Sequence, residues 1–286
     1  MRRLIVNADD FGLTPGVNRA IIEAHTEGVV TSATLMANAS GFDNAVQLAG
    51  STPSLSIGCH ILLVDGAPVS GPQQIPTLTA GTDCQLESSI SRFAVRAIGG
   101  RINPVDVETE AVRQIRKLQA AGIQISHLDT HKHTHIFPQI LPPLLRAAKT
   151  CGVCAIRNPF GRIAFSGVVT RPKLWKRYGE LMLLNPFARS FLRSVRAEGM
   201  ITPDGSLGVA ATGEVDERLF RQIVENLPEG TWEFVTHPGY NDSDLDRVAT
   251  RLRASRETEL EILTSPAVRE DLERSRIELI SYRALA

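Results

Sequence analysis

"RLIVNADDFGLTPGVNRAIIEAHTEG", residues 3–28, passes from a continuous apolar run through two carboxylates into a helical pattern. The run of branched aliphatics reads as a strand buried on both faces. Thr14 followed by Pro15 marks a helix start, because proline lacks the amide that would otherwise go unpaired, and Gly28 can close the helix. The same alternation recurs along the chain. "ATLMA" is a second strand followed by a helix around "FDNAVQLAG", and "LSIGCHI" is a third, followed by a Gly/Pro-rich loop insertion from Gly66 to Gly81. "NPVDVETEAVRQIRKLQAAG" is a helix with Pro104 near its start, acids in its first turns, bases near its end and Gly122 as its stop. "IQISHL", a helix from Pro138 to Thr150, "VCAIR", "TWEFVT" and "RIELIS" complete the series. These strand candidates separated by helices predict an α/β fold with about seven parallel strands, either doubly wound or closed into a (β/α) barrel. Residues 158–213 break the rhythm and read as a lid-like insertion in a single domain spanning 1–286.

Composition narrows the function classes. With 286 residues, 43% hydrophobic and 22% charged, the chain has the make-up of a globular protein. Lys plus Arg and Asp plus Glu both number 31, so no charge excess points to nucleic acid. The N-terminal apolar run is only Leu4 to Val6, and no run of about 18 apolar residues exists, which predicts a cytoplasmic location. Four cysteines are too few for a disulfide scaffold and read as reduced thiols.

Polar residues cluster at the C-terminal ends of the predicted strands. Asp9 and Asp10 follow the first, Asn38 the second, His60 ends the third, Asp129 and His131 follow the fourth, Arg157 ends "VCAIR", and His237 follows "TWEFVT". In parallel α/β folds active sites assemble at that edge. Adjacent carboxylates on a strand point in opposite directions, so one of Asp9 and Asp10 can face a metal and the other the reacting water. A helix cap is the competing reading for one of them, and a satisfied core histidine is the competing reading for His60.

"HLDTHKHTH", residues 127–135, places four of the chain's seven histidines in nine positions. Were it extended, His131, His133 and His135 would point the same way, but Phe137 and Pro138 announce a turn, so one or two reach a metal. One Asp and two His leave coordination positions open for water and substrate. Asp129, His133 and His135 then support the ligands by hydrogen bonds, and Asn38 supports the site or binds substrate. A solvated surface loop is the plain alternative.

The chain resembles the YdjC-like carbohydrate deacetylases through "NADDFGL", "IGCH", "HLDTHKHTHIFP" and "THPG", in the expected order over nearly its whole length. Lys132 departs from the family pattern, which has histidine there. The segment with "RNPFGR" and "LLNPFARSFLRSVRAEGMITPDGSLGV" is more similar to the hopanoid-biosynthesis-associated branch. The resemblance implies a deformed (β/α) barrel related to polysaccharide deacetylases, removing acetyl from an N-acetylated amino sugar. By position it implies Asp10, His60 and His131 as ligands of one divalent metal ion and Asp9 as general base. His237 is the candidate acid for the leaving amine, and Arg157 in "RNP" the candidate to orient Asp9 through a bidentate pair. The resemblance implies Mg2+, whereas two imidazoles favour Zn2+. The alternatives are a different single-metal amidohydrolase or phosphoesterase, and a catalytically inactive sugar-binding protein.

From Arg171 to Arg196 seven bases face one acid, Glu180, and alternate with Leu174, Trp175, Leu183, Phe187 and other apolar residues. That mixture suits a peripheral membrane contact, to which an acetylated sugar carried by a hopanoid would give a purpose. An amphipathic lid or a homodimer surface fits the same pattern.

Overall fold

The computed structural model describes residues 1–80, 84–161 and 171–285. Its central strand is β1 (Arg2–Phe11), buried from Leu4 to Phe11. On one side lie β2 (Ser32–Leu35), β3 (Ser56–Ile61) and β6 (Ile125–Thr130); on the other lie β8 (Gly230–Thr236) and β7 (Gly205–Leu207). β9 (Ile277–Leu279) pairs with Arg2 to Leu4 of β1, and β2 takes over from Asn7. Every pairing in this seven-stranded sheet is parallel. A separate antiparallel pair, β4 (Thr79–Ala80) and β5 (Gln85–Leu86), lies between β3 and the next α-helix, at the end of the loop insertion and just beyond it.

The helices α1 (Pro15–Thr26), α2 (Phe42–Ser51), α3 (Ile90–Ile98), α4 (Pro104–Ala120) and α5 (Leu141–Thr150) link the early strands. Thr14 Oγ1 caps α1 by accepting from Val17 N at 3.2 Å, and Asn103 Oδ1 caps α4 by accepting from Val105 N at 3.0 Å. α6 (Pro172–Leu184) and α7 (Ala188–Ala197) occupy the stretch that broke the sequence rhythm. α8 (Glu217–Glu225), α9 (Ala254–Thr264) and α10 (Pro266–Arg274) follow.

The expected parallel α/β sheet is present, with one exchange among its strands. "VCAIR" contributes only single bridges, Leu128 to Ile156 and Ala155 to Ile201, and β7, inside the supposed insertion, takes its place. Those bridges continue the curl beyond β6: Arg157 N donates to Leu128 O, Ile156 N to Ile201 O and Ser206 N to Phe160 O, leading back to β7. Residues 162–170 of the expected lid lie outside the described residues.

Strand alternation sorts the side chains into two sets. Leu4, Val6, Ala33, Leu35, Ile57, Cys59, Leu128 and Phe234 join the main apolar core. The residues between them, Asn7, Asp9, Thr34, His60, Asp129 and Glu233, turn to the concave side and hydrogen-bond to one another or to Arg157. The lower end of this polar interior is filled by Tyr282, whose ring stacks on His127 at 3.5 Å between centroids and 8° between planes. Gly58 faces the same imidazole: a Cβ there would lie 2.4 Å from His127 Cε1. With the ring held by Tyr282 it cannot yield, so Gly58→Ala is expected to lower unfolding free energy by about 1–3 kcal/mol, measured by denaturant titration.

Candidate active site

Strand register brings distant residues to one edge of the sheet. Ala8 is opposite Thr236, which sets His237 beside Asp9, and His60 is opposite Asp129. Asp10 has φ of 66° and sits at a register shift between Ala8 and Phe11. That turn breaks the alternation expected for adjacent carboxylates, so Asp9 and Asp10 both line one cleft of about 1460 Å3 rather than facing opposite sides of the sheet.

Asp10, His60 and His131 converge. Asp10 Oδ1 is 3.7 Å from His60 Nε2 and 3.5 Å from His131 Nδ1, and the two nitrogens are 3.3 Å apart. Such edges match neighbouring donors around one ion with bonds of about 2.0–2.2 Å. Asp10 Oδ1 is buried without a hydrogen-bond partner among the described residues, while Oδ2 accepts from Arg256 at 2.5 Å. His60 Nδ1 donates to Asp129 at 2.7 Å, which leaves Nε2 as the lone-pair nitrogen facing the group. Burial opposes charge on His131, yet its contacts with Asp10 and Asp65 push its pKa up to about 9. This pocket therefore favours a positive charge. The residues present form a possible metal-binding Asp/His group.

Beneath it lies Arg157, fully buried. Its Nη1 donates to Asp9 Oδ2 at 2.8 Å and Nη2 to Asp9 Oδ1 at 2.6 Å, the bidentate pairing considered from sequence. It also bonds Asp129 Oδ2 at 2.5 Å and Glu233 Oε1 at 2.7 and 2.8 Å. Burial pushes the Asp9 carboxyl up, but the Arg157 guanidinium outweighs it and holds Asp9 well below the usual carboxylate range. Asp9, His60 and Asp129 could also surround a cation, but the guanidinium already bridges Asp9 and Asp129, which argues against a second ion there.

His237 Nε2 lies 3.8 Å from Asp9 Oδ2. Burial pulls its pKa down to about 4, so the resting imidazole is neutral near pH 7. Two residues of α9 clamp its backbone: Glu259 accepts from His237 N at 2.6 Å and Arg256 reaches His237 O at 3.4 Å. Burial lifts Glu259 to about 7.

The remaining histidines separate. Lys132 and His133, both with φ of 53°, coil the segment into a 3-10 turn, so the extended alternation is not realised. His133 lines the cleft, with a pKa drawn down to about 3 by burial and then by Arg157. His135 turns behind it, its Nδ1 on Thr130 Oγ1 at 2.6 Å. Asn38 lines the cleft and donates to Ala67 O at 2.6 Å. Sequence reasoning missed Arg256, Glu259, Glu233, Tyr282 and Asp65. Glu233 alone carried a signal, as a charge within the apolar strand "TWEFVT".

The model of the family described as YdjC-like protein matches residues 3–274. A carbohydrate deacetylase of Brevibacillus brevis is 34% identical over 99% of this chain and 99% of its own length, and one of Listeria monocytogenes is 33% identical over 99% and 100%. In structure, a candidate cellobiose-phosphate cleavage protein of Enterococcus faecalis superposes with a TM-score of 0.80 at 28% identity, covering 100% of this chain and 99% of that one. The match of the family model over nearly the whole sequence, with full-length relatives above 30% identity, establishes that the chain belongs to the YdjC-like protein family.

Proposed function

We propose that this chain is a metal-dependent carbohydrate deacetylase that removes the N-acetyl group from an N-acetylated amino sugar. The observation that carries this reading is the trio Asp10, His60 and His131, 3.3–3.7 Å apart, beside Asp9 and His237 in one cleft. The names of the full-length relatives support the substrate class. Asp10, His60 and His131 would hold one divalent ion, which supplies Lewis acidity toward the amide carbonyl. Two imidazoles favour Zn2+ and the family resemblance Mg2+; elemental analysis of the purified protein decides between them.

Asp9, kept ionised and oriented by Arg157, takes the proton of the attacking water. His237 Nε2 lies 3.8 Å from Asp9 Oδ2, and in this reading it receives that proton and passes it to the departing amine nitrogen. Resting neutrality suits His237 to this, since it must bind a proton before giving one. Asn38 and His133 face the cleft where the sugar would lie, and Asp129 fixes His60 from behind.

As the finer substrate we propose an N-acetylglucosaminyl hopanoid, with α6 and α7 meeting the membrane surface. Trp175, Met182 and Leu183 are exposed, as are Arg189, Arg193 and Arg196, while Leu174, Phe191 and Val195 of the same helices pack into the core. No helix among the described residues is long and apolar enough to cross a membrane, so the contact is a surface one.

Asp9→Asn is expected to keep the metal while turnover of an N-acetylglucosaminyl substrate falls by about 10²–10⁴-fold; wild-type rates with metal content verified would refute the base assignment. His131→Ala should lose bound metal by elemental analysis, and full occupancy would move ligation to another histidine. Wild type should float with anionic liposomes at low salt, and the triple change of Arg189, Arg193 and Arg196 to Ser should weaken that binding. Equal recovery of the two proteins rules out the membrane contact.

A further inference from the structure

The two histidines of the trio are supported unequally. His60 turns its rear nitrogen, Nδ1, to Asp129 at 2.7 Å, deep in the sheet interior. His131 faces the trio through Nδ1, and its rear nitrogen, Nε2, looks outward to Asp65 Oδ2 at 3.6 Å. Asp65 belongs to no strand. It opens the loop insertion after β3 with φ of 61°, and that loop is clipped in place where Asp65 N donates to Glu87 O at 3.1 Å and Leu86 N donates to Gly66 O at 3.0 Å. The same oxygen, Oδ2, is also taken by Lys132 Nζ. Lys132 makes this contact from a left-handed backbone, φ 53°.

We infer that Asp65 is a positioning residue for His131, and that Lys132 weakens this support by competing for Asp65 Oδ2. The inference rests on the metal-centre reading above. A carboxylate behind a ligating imidazole fixes its tautomer and ring orientation and makes the opposite nitrogen a stronger donor; losing such a partner typically costs 10–100-fold in metal affinity. An ammonium on the same oxygen withdraws charge from it and offers it a second geometry, so His131 receives only part of what Asp129 gives His60. The trio thus has one strong arm and one adjustable arm, and the adjustable arm is carried by a surface loop at the cleft wall.

Cobalt(II) affinity of the purified full chain, read by visible absorption in competition with a chelator, tests this without any deacetylation. Because the contact is 3.6 Å long and shared with Lys132, Asp65→Ala is expected to weaken cobalt(II) binding by about 10-fold, the lower end of that range, with Asp65→Asn between it and wild type. Lys132→Gln should tighten binding by about 3-fold, a fraction of the support that Asp65 gives. In the Asp65→Ala background the same Lys132→Gln change should have no effect, because the two act through one oxygen; a mere removal of positive charge would tighten binding equally in both backgrounds. Both residues are partly exposed, so the variants should retain the fold, checked by thermal melting. Equal affinity of wild type and Asp65→Ala, or a Lys132→Gln effect of the same size with and without Asp65, overturns the inference and leaves the metal centre standing. A wild type that takes up no cobalt(II) overturns the metal centre and the inference with it.

Discussion

One guanidinium sits where three strands would otherwise repel each other. Asp9 from β1, Asp129 from β6 and Glu233 from β8 all direct carboxylates into the same concave interior, and Arg157 bonds each of them. Isolated charges cannot stay buried in such surroundings. The cost falls on both sides: burial also raises the Glu233 carboxyl above its usual range, and the Tyr282 hydroxyl donates to its Oε2 at 2.5 Å. Many parallel barrels fill this space with branched aliphatics. Here polar groups fill it, and the chemistry at the upper edge is oriented by the packing below.

The working edge inherits its geometry from that interior. Asp129 is shared: one oxygen fixes His60 and the other bonds Arg157, which in turn fixes Asp9. The group that would hold a metal and the group that would move protons therefore depend on a common scaffold, although they differ in role. α9 adds a second brace from the opposite side, with Arg256 on Asp10 and Glu259 on the backbone of His237.

The strand pattern and the segregation of polar residues at strand ends were readable because both follow from local rules, the burial of apolar runs and the convergence of loops at one edge. Asp9, Asp10, His60, His131 and His237 do meet in one cleft. The histidine cluster was not resolvable by spacing alone: His127 stays on β6 and stacks in the core, His131 joins Asp10 just beyond the strand end, and the two left-handed residues Lys132 and His133 then turn the chain so that His135 retreats to Thr130. Arg256 looks like an ordinary surface charge in "RASRETELEIL", and only the tertiary approach of α9 to β1 buries it against Asp10. β7 escaped notice since three residues, Gly205 to Leu207, carry too little periodicity to register.

The central strand also has a history. Arg2 pairs with Gly230 on one side and Ile277 on the other, so this strand is synthesised long before two of its neighbours. Until then its apolar edge has β2 alone to pair with, the situation in which nascent chains recruit chaperones or join the wrong partner. Contacts this distant in sequence also make for slow folding, because the loop must close before any of them forms. For this chain, the arrangement that places Asp9 beside His237 is the one that postpones assembly of the cleft until β8 has been made.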